Sequence, residues 1–246
     1  MPSAAYWRTF RELSQVHSVP IVWSRFYRQH ILLLAVTGMC IALLFHLTAL
    51  DVQLEDAWFS ASGEAWPLRN AWWTSTLIHT WLRYVLNIAA LACIWQAWKR
   101  RRNADALRWR VVAIAALLVP LLIGIGKRLS PMHCPWDIDR YGGHAPYYDP
   151  FAALLASIPQ PGHCFPAGFV SAGSWLLAFV VFFYPARPRV SLAVGLAVSG
   201  LILAMGLVQQ MRGAHFLSHV LWTLWLSWAI VLAVHAGVRA WRTHRS

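Results

Sequence analysis

The chain has 246 residues, of which 59% are hydrophobic and only 12% charged, with 16 tryptophans and a net charge of +12. That leaves too little polar surface to cover a soluble globule of this size, so the composition excludes a water-soluble enzyme and points to an integral membrane protein. The positive excess belongs to topology and anionic headgroups, with no nucleic acid as partner.

Residues 1–30 lack an apolar core followed by a small-residue cleavage site, so no signal peptide is expected. They read as a cytoplasmic amphipathic segment lying on the membrane surface, with Tyr6, Trp7, Phe10, Trp23, Phe26 and Tyr27. Apolar runs of spanning length follow at 31–50, 74–98, 111–126, 168–185, 190–208 and 216–237. The expected fold is therefore all-α: a six-helix transmembrane bundle over 31–238 and a basic cytoplasmic tail at 239–246.

In chain order, span one is apolar except for His46, read as structural. The loop 51–73 carries Asp51, Glu55, Asp56 and Glu64, with Trp58, Trp66, Trp72 and Trp73 suited to an interfacial belt. Span two is more polar in its first turns; its His79 and Arg83, four apart on one face, either line the site or form a snorkelling pair at the outer interface, the reading preferred here. Span three ends in Lys127-Arg128. The next 40 residues are punctuated by proline and glycine and form an irregular loop between helices three and four; it carries His133, Asp137, Asp139, Arg140, His144, Asp149 and His163 and is expected to cover the outer mouth of the bundle. Span four opens at Pro166-Ala167-Gly168, where free backbone N–H groups at a helix start can cradle an anion.

Fifteen of the 21 Lys and Arg residues fall in the N-terminal segment, between spans two and three, between spans four and five, and after span six. The positive-inside rule makes that side cytoplasmic, with both termini inside. The stretch Met211 to Trp222 then enters the last span from outside, carrying Arg212, His215 and His219. Four-residue spacing puts the two imidazoles on one helix face, and polar groups at a membrane edge must be hydrated, paired or used.

Three polar clusters thus share the outer side: Lys127 to Pro135, His163 to Ser171 and Gln209 to His219. Their order and spacing resemble the type 2 phosphatidic acid phosphatase (PAP2) superfamily, whose membrane members have six spans and a histidine-nucleophile site built from K-x6-R-P, P-S-G-H and S-R-x5-H-x3-D. Lys127 and Pro135 match the first motif, with Cys134 in place of its arginine. Pro166 and Gly168 match the second, with Ala167 for its serine and Phe169 for its histidine. In the third, His215 aligns with the nucleophile and His219 with the aspartate, while the motif's arginine falls at Gln209 and Arg212 is placed to supply the charge.

The resemblance implies a metal-independent, cofactor-free hydrolase. His215 attacks phosphorus and forms a phosphohistidine; His219 orients it; Lys127, Arg212 and Arg128 hold the phosphoryl oxygens, with amides near Gly168 and Ala167 helping. Phe169 cannot transfer a proton to the leaving group, so either another histidine serves (His163, His133 or His144) or the chain is a catalytically impaired phospholipid-binding relative; a phosphotransferase passing phosphate to a second lipid is the further alternative. The implied setting is a bacterial inner membrane with a periplasm-facing site, and the implied substrates are undecaprenyl diphosphate, phosphatidylglycerol phosphate, phosphatidic acid or lipid A; Asp137, Arg140 and His144 are candidates for headgroup recognition or for structural loop contacts alike, and His163 is a further candidate for substrate binding. His133, Asp137, Asp139, His144, His163, His215 and His219 supply possible metal ligands, but their spacing fits no compact metal motif and the nearby lysine and arginine oppose a cation. Cys40 and Cys93 lie in spans as apolar fillers. Cys134 and Cys164 share the outer loop and pair as a disulfide if that side is oxidising, pinning the first motif to the second; otherwise they are two free thiols.

Overall fold

The computed structural model describes residues 4–60, 65–149 and 161–243, with side chains from Val22 to Arg242. The side chains of Tyr6, Trp7 and Phe10 and the whole of Glu64 lie outside the described residues. The chain is 76% helical with no strand among the described residues, only two isolated bridges, Ser60 to Ala65 and Ile138 to Ala145. Among the described residues the main helices are α1 (Ala4–Leu47), α2 (Leu50–Asp56), α3 (Trp73–Lys99), α4 (Ala106–Leu129), α5 (Gly168–Phe183), α6 (Pro188–Met211) and α7 (Leu217–Thr243). Five of them contain stretches long and apolar enough to cross a bilayer: Val22–Leu47 of α1, α3, α4, α6, and Leu217–Arg242 of α7.

Residues 1–37 and 38–246 form two compact units. In the first, α1 runs without interruption from Ala4, so the segment read as lying on the membrane surface and the first span share one helix. Trp23 and Phe26 meet edge to face there, with ring centroids 5.3 Å apart. At the other end of the chain α7 continues through Arg239 and Arg242, so most of the basic tail is helical.

In the second unit α4 and α5 occupy the middle. Val111, Val112, Ala115, Ala116, Val119 and Ile123 of α4 are buried in one stripe at helical spacing, against α3, α5 and α7. α5 is only 16 residues long, about 24 Å at the helical rise, and is tightened by a 3-10 turn at Trp175–Leu177. Its residues from Phe169 through Trp175 are all buried, which is why this helix is built from alanine, glycine, serine and valine more than from leucine. Where α6 and α7 cross, a Cβ on Gly206 would stand 2.4 Å from Cγ1 of Val220, so only glycine permits that approach. Outward-facing residues such as Ile88, Leu91, Leu121, Leu192 and Leu196 are exposed, the surface that lipid tails cover.

α3 begins irregularly. Its first ten residues, Trp73–Leu82, form a π-helix before the regular helix from Arg83. The hydroxyl of Ser75 donates to the Ala71 carbonyl at 2.9 Å and that of Thr80 to the Ser75 carbonyl at 3.0 Å, side-chain bonds that compete with the ordinary i→i+4 ladder. The wider turn re-aims the residues that follow, His79 and Arg83 among them.

The loop after α4 carries 3-10 turns at Pro135–Asp137 and Asp139–Tyr141. Trp66, Ile138, Tyr141 and Phe216 form a buried cluster that fastens this loop and the α2–α3 connection to the start of α7.

Candidate functional site

The C-terminal end of α4, the N-terminal end of α5 and the α6–α7 connection meet around a cavity of about 330 Å³. Lys127, Gly168, Gln209, Arg212 and His215 line it, so residues of all three sequence clusters converge there. His79 and Arg83 of α3, Cys134, Trp136, Phe169 and Ala214 complete the wall.

His215 sits between helices. Gly213, at φ +70°, turns the chain out of α6, and α7 starts at Leu217. A Cβ on Gly213 would lie 2.4 Å from the Trp66 ring, so glycine is required both by the left-handed backbone and by the ring above it. The Gly213 carbonyl accepts from the Trp136 amide at 3.0 Å, tying the loop after α4 to the turn. His215 is 3% exposed; its Nδ1 is 3.4 Å from Nδ1 of His219 and 3.5 Å from Sγ of Cys164. Burial, and then the positive charge of Lys127 with His219 and His79 close by, hold the His215 imidazole well below its ordinary pKa, so it is neutral at physiological pH. His219, packed edge-on against Phe165 and Phe216, is fully buried and does not line the cavity; its Nε2 has no hydrogen-bond partner among the described residues.

Arg212 and Gln209 act together. An Arg212 Nη1–H donates to Oε1 of Gln209 at 3.1 Å and its Nε–H to the Arg69 carbonyl at 2.9 Å. The amide at the position of the motif's arginine therefore steers the arginine that follows three residues later. Arg69 in turn lies over the Trp136 ring, 4.3 Å from its centroid.

Cys134 and Cys164 are joined as a disulfide, which links the loop after α4 to the chain entering α5. The Ala167 amide donates to the Thr223 hydroxyl at 2.8 Å. That overturns the expectation that this N–H is free to cradle an anion, and Ala167, fully buried, does not reach the cavity although Gly168 does.

The other residues singled out in the sequence lie apart from the cavity. Arg140 forms two bonds to Asp56, at 2.9 Å and 2.6 Å, and ties the loop after α4 to the end of α2 without lining the cavity; the guanidinium also keeps the Asp56 carboxyl below its usual range. Arg128 is exposed on the turn of α4 that Lys127 turns inward, and His163 is exposed at φ 51°; neither lines the cavity. His133 and His144 meet each other, ring centroids 5.8 Å apart, and likewise stay outside it.

The histidine beside Phe169 comes from elsewhere. His79 of α3 lies with its ring centroid 4.8 Å from that of Phe169 and faces the same cavity as His215, among the charges of Arg212, Arg83 and Lys127. The four-residue spacing of His79 and Arg83 was visible in the sequence; the π-helical start that aims them inward was not.

Asp51 is a residue that spacing does not single out. From the first turn of α2 its Oδ1 accepts the Ser218 amide at 2.9 Å, capping α7 from a segment 167 residues away, and Tyr147 donates to its Oδ2 at 3.3 Å. Burial raises Asp51 to about 6, and burial together with Asp51 and Asp56 raises Glu55 well above its ordinary value. Compared with protein-family models, curated proteins and solved structures, the chain matches none.

Proposed function

We propose that this chain is an integral membrane phosphatase acting on a lipid phosphate or diphosphate through a phosphohistidine on His215. The observation that carries the reading is the convergence of Lys127, Arg212 and His215 on one cavity, as the PAP2 resemblance expects, with Arg83 adding a third cation. In this reading the short α5 is the sixth span, both termini face the cytoplasm, and the site opens to the periplasmic face of a bacterial inner membrane, the side opposite most of the basic residues.

The roles follow from the geometry. Nδ1 of His215 is turned towards His219 and Cys164, which leaves Nε2 to attack phosphorus. His215 then carries its proton on Nδ1 and shares it with Nδ1 of His219, across a long hydrogen bond that steadies the imidazolium as it forms. Lys127, Arg212 and Arg83 offset the charge that spreads over the phosphoryl oxygens. His79 takes the place of the missing acid: it protonates the departing lipid oxygen as the P–O bond breaks, then accepts a proton from the water that cleaves the N–P bond and releases orthophosphate.

The experiment is phosphate release from a panel of lipid phosphates, beside His215→Ala and His79→Ala. Release by the parent, lost in His215→Ala, supports the reading; lipid binding with no release by the parent replaces it with a phospholipid-binding protein.

A further inference from the structure

We propose that opening the Cys134–Cys164 disulfide turns the inner wall of this cavity into a four-ligand site for a thiolate-seeking divalent cation of the zinc class, with Cys134, Cys164, His215 and His219 as ligands. The inference goes beyond the phosphatase reading and does not depend on it. Ligand atoms of Cys164, His215 and His219 all lie within 4.8 Å of one another, and all three residues are buried. Bond lengths of about 2.3 Å to sulfur and 2.0–2.1 Å to nitrogen set the N–N and N–S edges of a tetrahedral zinc site at about 3.3–3.6 Å. The two separations through His215 Nδ1, 3.5 Å to Cys164 Sγ and 3.4 Å to His219 Nδ1, fall in that interval. The second of them is longer than an ordinary N–H···N bond of about 2.7–3.2 Å. His219, fully buried with Nε2 unpartnered, is held by packing more than by hydrogen bonds.

Closed, the disulfide offers no thiolate, and two imidazoles beside Lys127 are a poor cation site. Reduction changes both conditions. Cys134 lines the cavity whereas Cys164 is fully buried, so an incoming reductant reaches Sγ of Cys134 and Cys164 departs as the thiolate next to His215. Two electrons and two protons from a dithiol convert the disulfide to two thiols, and the dithiol becomes a disulfide in turn. The cation then displaces the two thiol protons, and two thiolates balance its double charge, so the loaded site is neutral beside Lys127. Cys2His2 is a closed set of ligands for zinc. It occupies His215, so on the phosphatase reading the loaded protein is switched off and reoxidation restores it.

The test uses the full chain with Cys40→Ser and Cys93→Ser, which removes the two thiols outside the site. The protein is reduced with a phosphine, freed of it without oxygen and titrated with Co²⁺ as the probe for zinc. The expected result is one tetrahedral Co²⁺ per chain, seen as intense d–d bands with a sulfur-to-cobalt charge-transfer band, displaced by Zn²⁺ and released when diamide closes the disulfide. His215→Ala and His219→Ala each weaken binding on the order of tenfold or more. The comparison of one protein in its reduced and oxidised forms needs no substitution at the site, so a variant that folds poorly does not decide the matter. Weak octahedral cobalt spectra in the reduced protein, or the same tetrahedral spectrum in the oxidised one, overturn the proposal.

Discussion

Replacing Gly213 by alanine tests whether the turn that presents His215 is held as described. Two costs add. A non-glycine residue at φ +70° loses on the order of 1–2 kcal/mol. The new Cβ lies 2.4 Å from Cδ2 and Cε2 of Trp66, whose ring is enclosed by Ile138, Tyr141 and Phe216 and has no free side to move towards, and overpacking of this kind costs about 1–3 kcal/mol. The expected loss is therefore about 2–5 kcal/mol, read as a lowered midpoint of thermal unfolding in detergent, together with a fall in phosphate release because Arg212 and His215 flank the turn. Trp66→Leu in the same chain removes the overpacking but not the backbone cost, so the double variant should destabilise by less than the sum of the two single ones. Wild-type stability in Gly213→Ala, or strict additivity with Trp66→Leu, would refute the reasoning.

Other expectations follow from the same contacts. If His79 serves as acid and base, His79→Phe lowers kcat by about 10²–10⁴-fold while Phe169→His in the parent changes it little; a large gain in Phe169→His would mean that the acid position had stood empty. Arg140→Ala, which breaks a half-exposed pair remote from the cavity, should cost about 1 kcal/mol or less and leave KM for lipid phosphate unchanged, and a raised KM would restore Arg140 to the binding site. The rise of Asp51 from 3.8 to about 6 means that the folded chain holds this proton more tightly than the unfolded one. Its contribution to stability therefore falls by about 3 kcal/mol as pH climbs through that interval, and is constant above it. Asp51→Asn, which keeps an acceptor for the Ser218 amide, should flatten that slope in unfolding midpoints measured across the interval; an unchanged slope would place the titration elsewhere. Cys134→Ser with Cys164→Ser opens a link spanning 30 residues and should destabilise by about 3–4 kcal/mol in midpoint measurements, with no loss counting against the bond's role in the fold.

Much of the architecture is legible because a bilayer demands long apolar helices, and a run such as 190–208 admits little else; the helix found there, Pro188–Met211, differs by two or three residues at each end. Span four is the instructive exception. Its boundary at Gly168 is set by proline and glycine, but nothing in its apolar run announces the 3-10 turn that interrupts it. In the site, Lys127, Arg212 and His215 are legible because each sits at the end of a span, where connectivity alone brings the ends together. The sequence alone does not decide between an interfacial and a site-lining His79, because helical periodicity assumes about 3.6 residues per turn and the side-chain bonds of Ser75 and Thr80 accompany a wider one. The roles of Arg140 and Asp51 are not legible for a different reason: their partners, Asp56 and the Ser218 amide, are 84 and 167 residues away, and a single sequence carries no signal of such pairings.

The central claim rests on His215 as the nucleophile. The direct measurement is to quench the protein in alkali during turnover of a lipid phosphate and locate the phosphoryl group by mass spectrometry of its peptides. The account predicts phosphate on His215, absent from His215→Ala and lost on incubation in neutral water. A phosphoryl group on His219 or His79, or turnover that persists in His215→Ala, would contradict it.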